Sequence, residues 1–192
     1  MTARPQVRLL LAGGLVLAAG TGCGLLGGEG SGSSWEEQAA AIEGIVNYRV
    51  ERPDAVIPEH VAGQVFYDIR PPVGGQHYDT WYDCNGAVYP AALVDEHAVH
   101  SLEHGAVWIT YLPGLPAEQI ELLAARVRDT EKMMMSPYPG QESPISLQAW
   151  GYQLMVDGAA DERIDAFIRA LRVNASPEGP TAPCTGGTAG PG

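Results

Sequence analysis

The run Ala106 to Leu112, AVWITYL, is apolar almost without a break. A short continuous run of β-branched and aromatic residues is expected of a central strand. Gly105, just before it, lets the preceding segment turn sharply into it. Two segments have a helical period. Leu115 to Lys132 carries Pro116 at its start, Glu118 in its first turn, basic residues late, and Ile120, Leu123, Ala124 and Val127 on one face. Asp161 to Val173 places Ile164, Phe167, Ile168 and Leu171 on one face. Ser34 followed by Glu36 and Glu37 signals a helix start, which predicts a helix over 35–43 and extended chain after Gly44. Gln64 to Ile69, Met133 to Ser136 and Pro144 to Trp150 read as strands. Pro71 to Tyr89 is a long loop of Pro-Pro, Gly-Gly and Asn-Gly turns. This order predicts an α+β fold: a single compact domain with a small mixed or antiparallel sheet and helices packed on one face. Strand order stays open.

The ends of the 192-residue chain read differently from its middle. Arg4 and Arg8 precede a 12-residue apolar run, Leu9 to Gly20, too short to span a bilayer comfortably. Small residues then lead to Cys23. The pattern reads as a lipoprotein-type signal peptide over 1–22, with Cys23 as the lipidated first residue. The alternative is an ordinary secretory signal with Cys23 incidental. Residues 23–34 are Gly/Ser-rich, a flexible tether of roughly 20 Å. The globular domain is expected over 35–184 and a disordered tail over 185–192. The expected address is extracytoplasmic, on the outer face of the cell membrane, with the membrane reached only through the lipid anchor.

Export sets the redox conditions. With Cys23 set aside, Cys84 and Cys184 remain, and a disulfide between them is the simplest pairing. A reactive thiol or a thiolate ligand is the other reading. Two of the 11 basic residues fall within 1–22 and no acid does. The mature chain therefore sets 9 basic residues against 23 acidic ones, a net charge of −14. That excludes nucleic acid as a natural partner, since phosphate binding needs a basic footprint.

Three of the five histidines stand within VDEHAVHSLEHG, at His97, His100 and His104. In a helix, steps of three and four put the three rings within about 60° on one face. Imidazole nitrogens converging there would suit zinc or copper. In an extended chain His100 and His104 still share a side and His97 does not. His60 and His77 flank the expected strand 64–69, which carries them to the cluster only if it pairs beside 106–112. HSLEH also matches the HxxEH pattern of zinc peptidases. There His100 and His104 hold zinc, Glu103 is the general base, and a further glutamate must come from the tail near Glu178. Gly105 cuts short the long helix that scheme needs. Glu103 can instead orient an imidazole from behind. Met133, Met134 and Met135 offer thioethers for copper, but they read as core filler, with Met134 facing opposite to its neighbours.

PPVGGQHY, HSLEHGAVWITY, SPYPG, QAWG and PEGPTAPC, in this order, resemble the bacterial family catalogued as domain of unknown function 3105. The resemblance runs from about Val61 to Cys184. It implies an exported or membrane-anchored protein in which His77, His100, Glu103 and His104 share one site, with His97 outside the motif. It implies no activity. The leading expectation is a transition-metal site, copper or zinc, of His77, His100 and His104. Glu103 supports it, and His97 and His60 are further candidate ligands. Binding ranks ahead of catalysis. The alternatives are a zinc-dependent hydrolase and a metal-free cell-envelope interaction module with an unidentified protein partner.

Overall fold

A computed structural model describes residues 32–191. The expected signal peptide, Cys23 and nearly all of the expected tether lie outside the described residues. Ser34 starts the first helix, α1 (Trp35–Ala40), with a capping box: Glu37 N–H donates to its hydroxyl and Ser34 N–H donates to the Glu37 carboxylate. The helix ends earlier than expected, and Gly44 turns the chain into β1 (Val46–Asn47). A short helix α2 (Tyr48–Glu51) and a 3-10 turn (Pro53–Val56) lead to β2 (Glu59–His60). Next come β3 (Gln76–His77), β4 (Asn85–Val88), α3 (Asp95–Glu103), β5 (Val107–Tyr111) and α4 (Ala117–Val127). The described chain closes with β6 (Met133–Pro137), β7 (Ile145–Ala149), β8 (Tyr152–Val156) and α5 (Glu162–Leu171).

The fold is α+β, and its main sheet has the order β1-β8-β7-β5-β6-β4. Pairing is mixed: β4 and β5 run parallel to β6 on either side of it, while β7, β8 and β1 add antiparallel strands beyond β5. Parallel neighbours need crossovers, which helices usually supply. The crossover from β5 to β6 is α4, and its apolar stripe joins α1 and α5 over Val107, Ile109, Met133, Met135 and Leu147. The passage from β4 to β5 contains α3, which packs on the other face. There Ala98, Val99 and Leu102 meet Trp108 and Met134. Every residue of β5 is buried, as a strand covered on both faces requires. The three methionines divide as alternation demands, all fully buried, with Met133 and Met135 in one core and Met134 in the other.

Three expectations are corrected. Gln64 to Ile69 forms no strand. Its burial alternates, with Val65, Tyr67 and Ile69 half-buried and Phe66 exposed, but its backbone finds no ladder. Val65 N–H donates to the Glu96 carboxylate instead, at 2.8 Å. Strand β8 was not anticipated at all. Trp150 and Gly151 form a two-residue hairpin, and Gly151 takes a φ of +78° there. The tail expected to be disordered packs onto the domain: Thr188 N–H donates to Trp81 O and Gly187 N–H to the Asp83 carboxylate.

Cys84 and Cys184 are joined as a disulfide, and Cys84 N–H donates to Cys184 O at 2.9 Å. Lys132, almost wholly buried, donates from Nζ to the carbonyls of His104 and Ala182. A cation at the last carbonyl of α3 suits the helix dipole. Together these contacts hold the C-terminal segment against the end of α3.

Candidate metal centre

Local geometry explains how distant histidines meet. Helix α3 stops because Gly105 takes a φ of +91°. A side chain there would bring a Cβ within 2.9 Å of Ser176 Cβ, so the tail can cross the helix end only over a glycine. His100 and His104 are thereby left on the last turn of α3 and its cap, with ring centroids 4.5 Å apart. His77 arrives from the long loop. Gly75, at φ +98°, passes so close to the 3-10 turn that a Cβ would lie 2.8 Å from Ala55 O. His60 arrives by a device absent from the sequence reading. Strands β2 and β3 pair in parallel for two residues each, which sets His60 opposite His77.

Among the described residues, His60, His77, His100 and Glu103 each offer a donor atom, all within 4.8 Å of one another. The three imidazole centroids form a near-equilateral triangle of 4.8, 4.8 and 4.9 Å. The Glu103 Oε2 atom lies 2.9 Å from His77 Nε2, 3.7 Å from His60 Nε2 and 3.9 Å from His100 Nε2. Two ligands bound at about 2.1 Å and separated by 90–110° stand roughly 3.0–3.4 Å apart; the carboxylate distances bracket that edge, and the cluster, up to 4.8 Å across, would contract around an ion. His77, His100 and Glu103 are buried, and His60 forms the open side with half its side chain exposed.

Hydrogen bonds assign the tautomers. His77 Nδ1 lies 2.8 Å from Gly75 O, and His100 Nδ1 lies 2.7 Å from Tyr78 O. A carbonyl only accepts, so each Nδ1 carries the proton and each neutral ring keeps its lone pair on Nε2. Burial pushes the His100 imidazolium down to about 4, so the ring is neutral at pH 7. Burial by itself would raise Glu103, but the His77 hydrogen bond and the surrounding imidazoles outweigh it. They hold this carboxyl below its ordinary value. Glu103 is thus an anion, joined to His77 Nε2 at 2.9 Å by a proton or a cation. Trp150 stands edge-on to His77 at 5.8 Å and Trp81 tilts against His100 at 5.4 Å, walling the site with apolar surface.

The expected ligand set changes accordingly. His104 stands beside the cluster but outside it. Its Nδ1 lies 2.6 Å from Pro183 O, and its Nε2 faces Glu178 Oε2 at 3.0 Å. His97 is outside the cluster, with its Nδ1 2.6 Å from Thr80 O. His60, a secondary candidate from sequence, is within the cluster, and Glu103 offers a carboxylate oxygen to it alongside the imidazoles. Glu178 docks at the site although nothing in the sequence required it. The signals that would have found these are the two-residue bridge at His60 and the disulfide that returns the tail.

Fold and site together define an α+β protein with a buried histidine–carboxylate cluster at the end of one helix, able to hold a metal ion. The chain belongs to the family described as Protein of unknown function (DUF3105), which matches residues 60–186 and so takes in all four cluster residues. No curated protein and no solved structure matches the chain.

Proposed function

We propose that this is an exported, lipid-anchored protein that binds a divalent transition-metal ion, zinc or copper, through His60, His77, His100 and Glu103. One observation carries the reading. His77 Nδ1 already meets Gly75 O, and its Nε2 lies 2.9 Å from a Glu103 carboxylate oxygen. Two acceptors at that distance repel unless a proton or a cation lies between them. Three imidazoles and one carboxylate are a borderline donor set with no sulfur, which favours zinc or copper(II) over copper(I). The acidic mature chain would draw cations towards it. Export and lipid anchoring rest on the Arg4–Cys23 pattern alone. The hydrolase alternative is weaker on this geometry because Glu103, its intended base, is engaged by His77, although Glu178 does reach His104 as that scheme requires.

The test is the metal content of the purified protein after zinc or copper loading, wild type against Glu103→Gln and His100→Ala, with circular dichroism to verify folding. The wild type should retain metal through desalting and both variants should retain markedly less. A wild type that emerges metal-free under both loadings ends this reading.

A further inference from the structure

A second pair of groups repeats the geometry of the first. His104 Nδ1 donates to Pro183 O, which leaves the lone pair of the neutral ring on Nε2. That nitrogen faces Glu178 Oε2 at 3.0 Å, the edge length of two ligands sharing one metal ion. The pair is separate from the first cluster, yet His100 and His104 are neighbours at 4.5 Å between centroids. Both members are placed by more than each other. His104 caps α3, its ring lies tilted against Trp81 at 4.6 Å, and its carbonyl accepts from buried Lys132. Glu178 belongs to a segment fixed on one side by the Ser176 hydroxyl, which donates to Glu103 O. On the other side it is fixed by Lys132 at Ala182 and by the disulfide at Cys184. That segment therefore brings a carboxylate from 74 residues away to a nitrogen whose other side is already used.

We propose that His104 and Glu178 form a second cation position, adjacent to the first, that completes its coordination with water and takes the same class of divalent ion. The inference rests on the metal-binding reading of His60, His77, His100 and Glu103. The two positions differ in the number of protein donors: four at the first, His60, His77, His100 and Glu103, against two at the second, His104 and Glu178. The second ion is the one that exchanges with solvent, and the inner ion is the retained one. The rival account is a charged imidazolium donating to Glu178, with no cation. The variant Glu178→Gln separates the two, because its amide N–H can donate to Nε2 directly and so keeps the contact while removing the anionic ligand.

The experiment is native mass spectrometry and calorimetric titration of the full chain with zinc chloride alone, wild type, Glu178→Gln and Glu103→Gln in parallel. The expected result is two ions per wild-type chain at saturation and one per Glu178→Gln chain, with the tighter calorimetric phase surviving. Equal stoichiometry in wild type and Glu178→Gln overturns the second position. If that shared value is one and Glu103→Gln abolishes it, the first site stands alone. If it is zero, both readings fall.

Discussion

Asp95 shows how a single residue at the start of α3 can record the cost of this architecture. Its carboxyl sits against Tyr138, which donates to it at 2.9 Å, with Arg70 and Glu96 nearby. Burial dominates over Tyr138 and Arg70 and raises it from 3.8 to about 6. The folded chain therefore holds this proton more tightly than the unfolded one. The associated stability is full below about pH 4 and is lost as pH rises through 6, at most about 3 kcal/mol. Asp95→Asn keeps an acceptor for Tyr138 and removes the titration. The variant should melt several degrees above wild type at pH 7, with the gap closing by pH 4. A gap independent of pH would contradict this account. At the same scale, sequence spacing made part of the site legible. His100 and His104 are neighbours because steps of four share a helix face. The same logic misplaced His97. Helical steps put the three positions within about 60°, but at one edge of that arc His97 is held by the Thr80 carbonyl. Local spacing says which side chains lie side by side, and long-range backbone acceptors decide which nitrogen is free.

Elements with a strong apolar period were legible: β5, β7, α4 and α5 fall within the expected segments, and β6 overruns its expected end at Ser136 by Pro137. The errors share a cause. A strand is completed by its neighbour, so the alternating 64–69 segment stays unpaired when its backbone turns to Glu96. By contrast, two residues at Glu59–His60 become a strand because Gln76–His77 is there to meet them. The convergence of His60 on His77 was invisible for that reason. The disulfide belongs to this scale as well. Cysteine count suggested it, and it ties β4 to a tail rich in Pro and Gly across 100 residues of sequence. The chain-entropy relation gives roughly 4–5 kcal/mol for such a loop, an upper figure. Reduction under native conditions should lower the thermal midpoint. A midpoint unchanged by a reductant that frees both thiols would show that the bridge contributes nothing.

For the whole molecule, the sheet divides the work between its faces. Helices α1, α4 and α5 bury the larger apolar core on one face, and β5 is common to both faces. The other face carries α3, the long loop and the returning tail, and there backbone carbonyls of Gly75, Tyr78 and Pro183 each take an imidazole Nδ1 proton. A rigid sheet thus supports an arrangement of groups that repel one another unless a cation or proton joins them. Its central claim is that three imidazoles and one carboxylate share an ion. X-ray absorption at the zinc edge of the loaded protein tests this most directly. The account predicts nitrogen and oxygen scatterers at about 2.0–2.2 Å with the outer-shell pattern of about three imidazoles. That imidazole signal should be reduced in His77→Ala. A spectrum with sulfur neighbours at about 2.3 Å, or one without imidazole scattering, would contradict it.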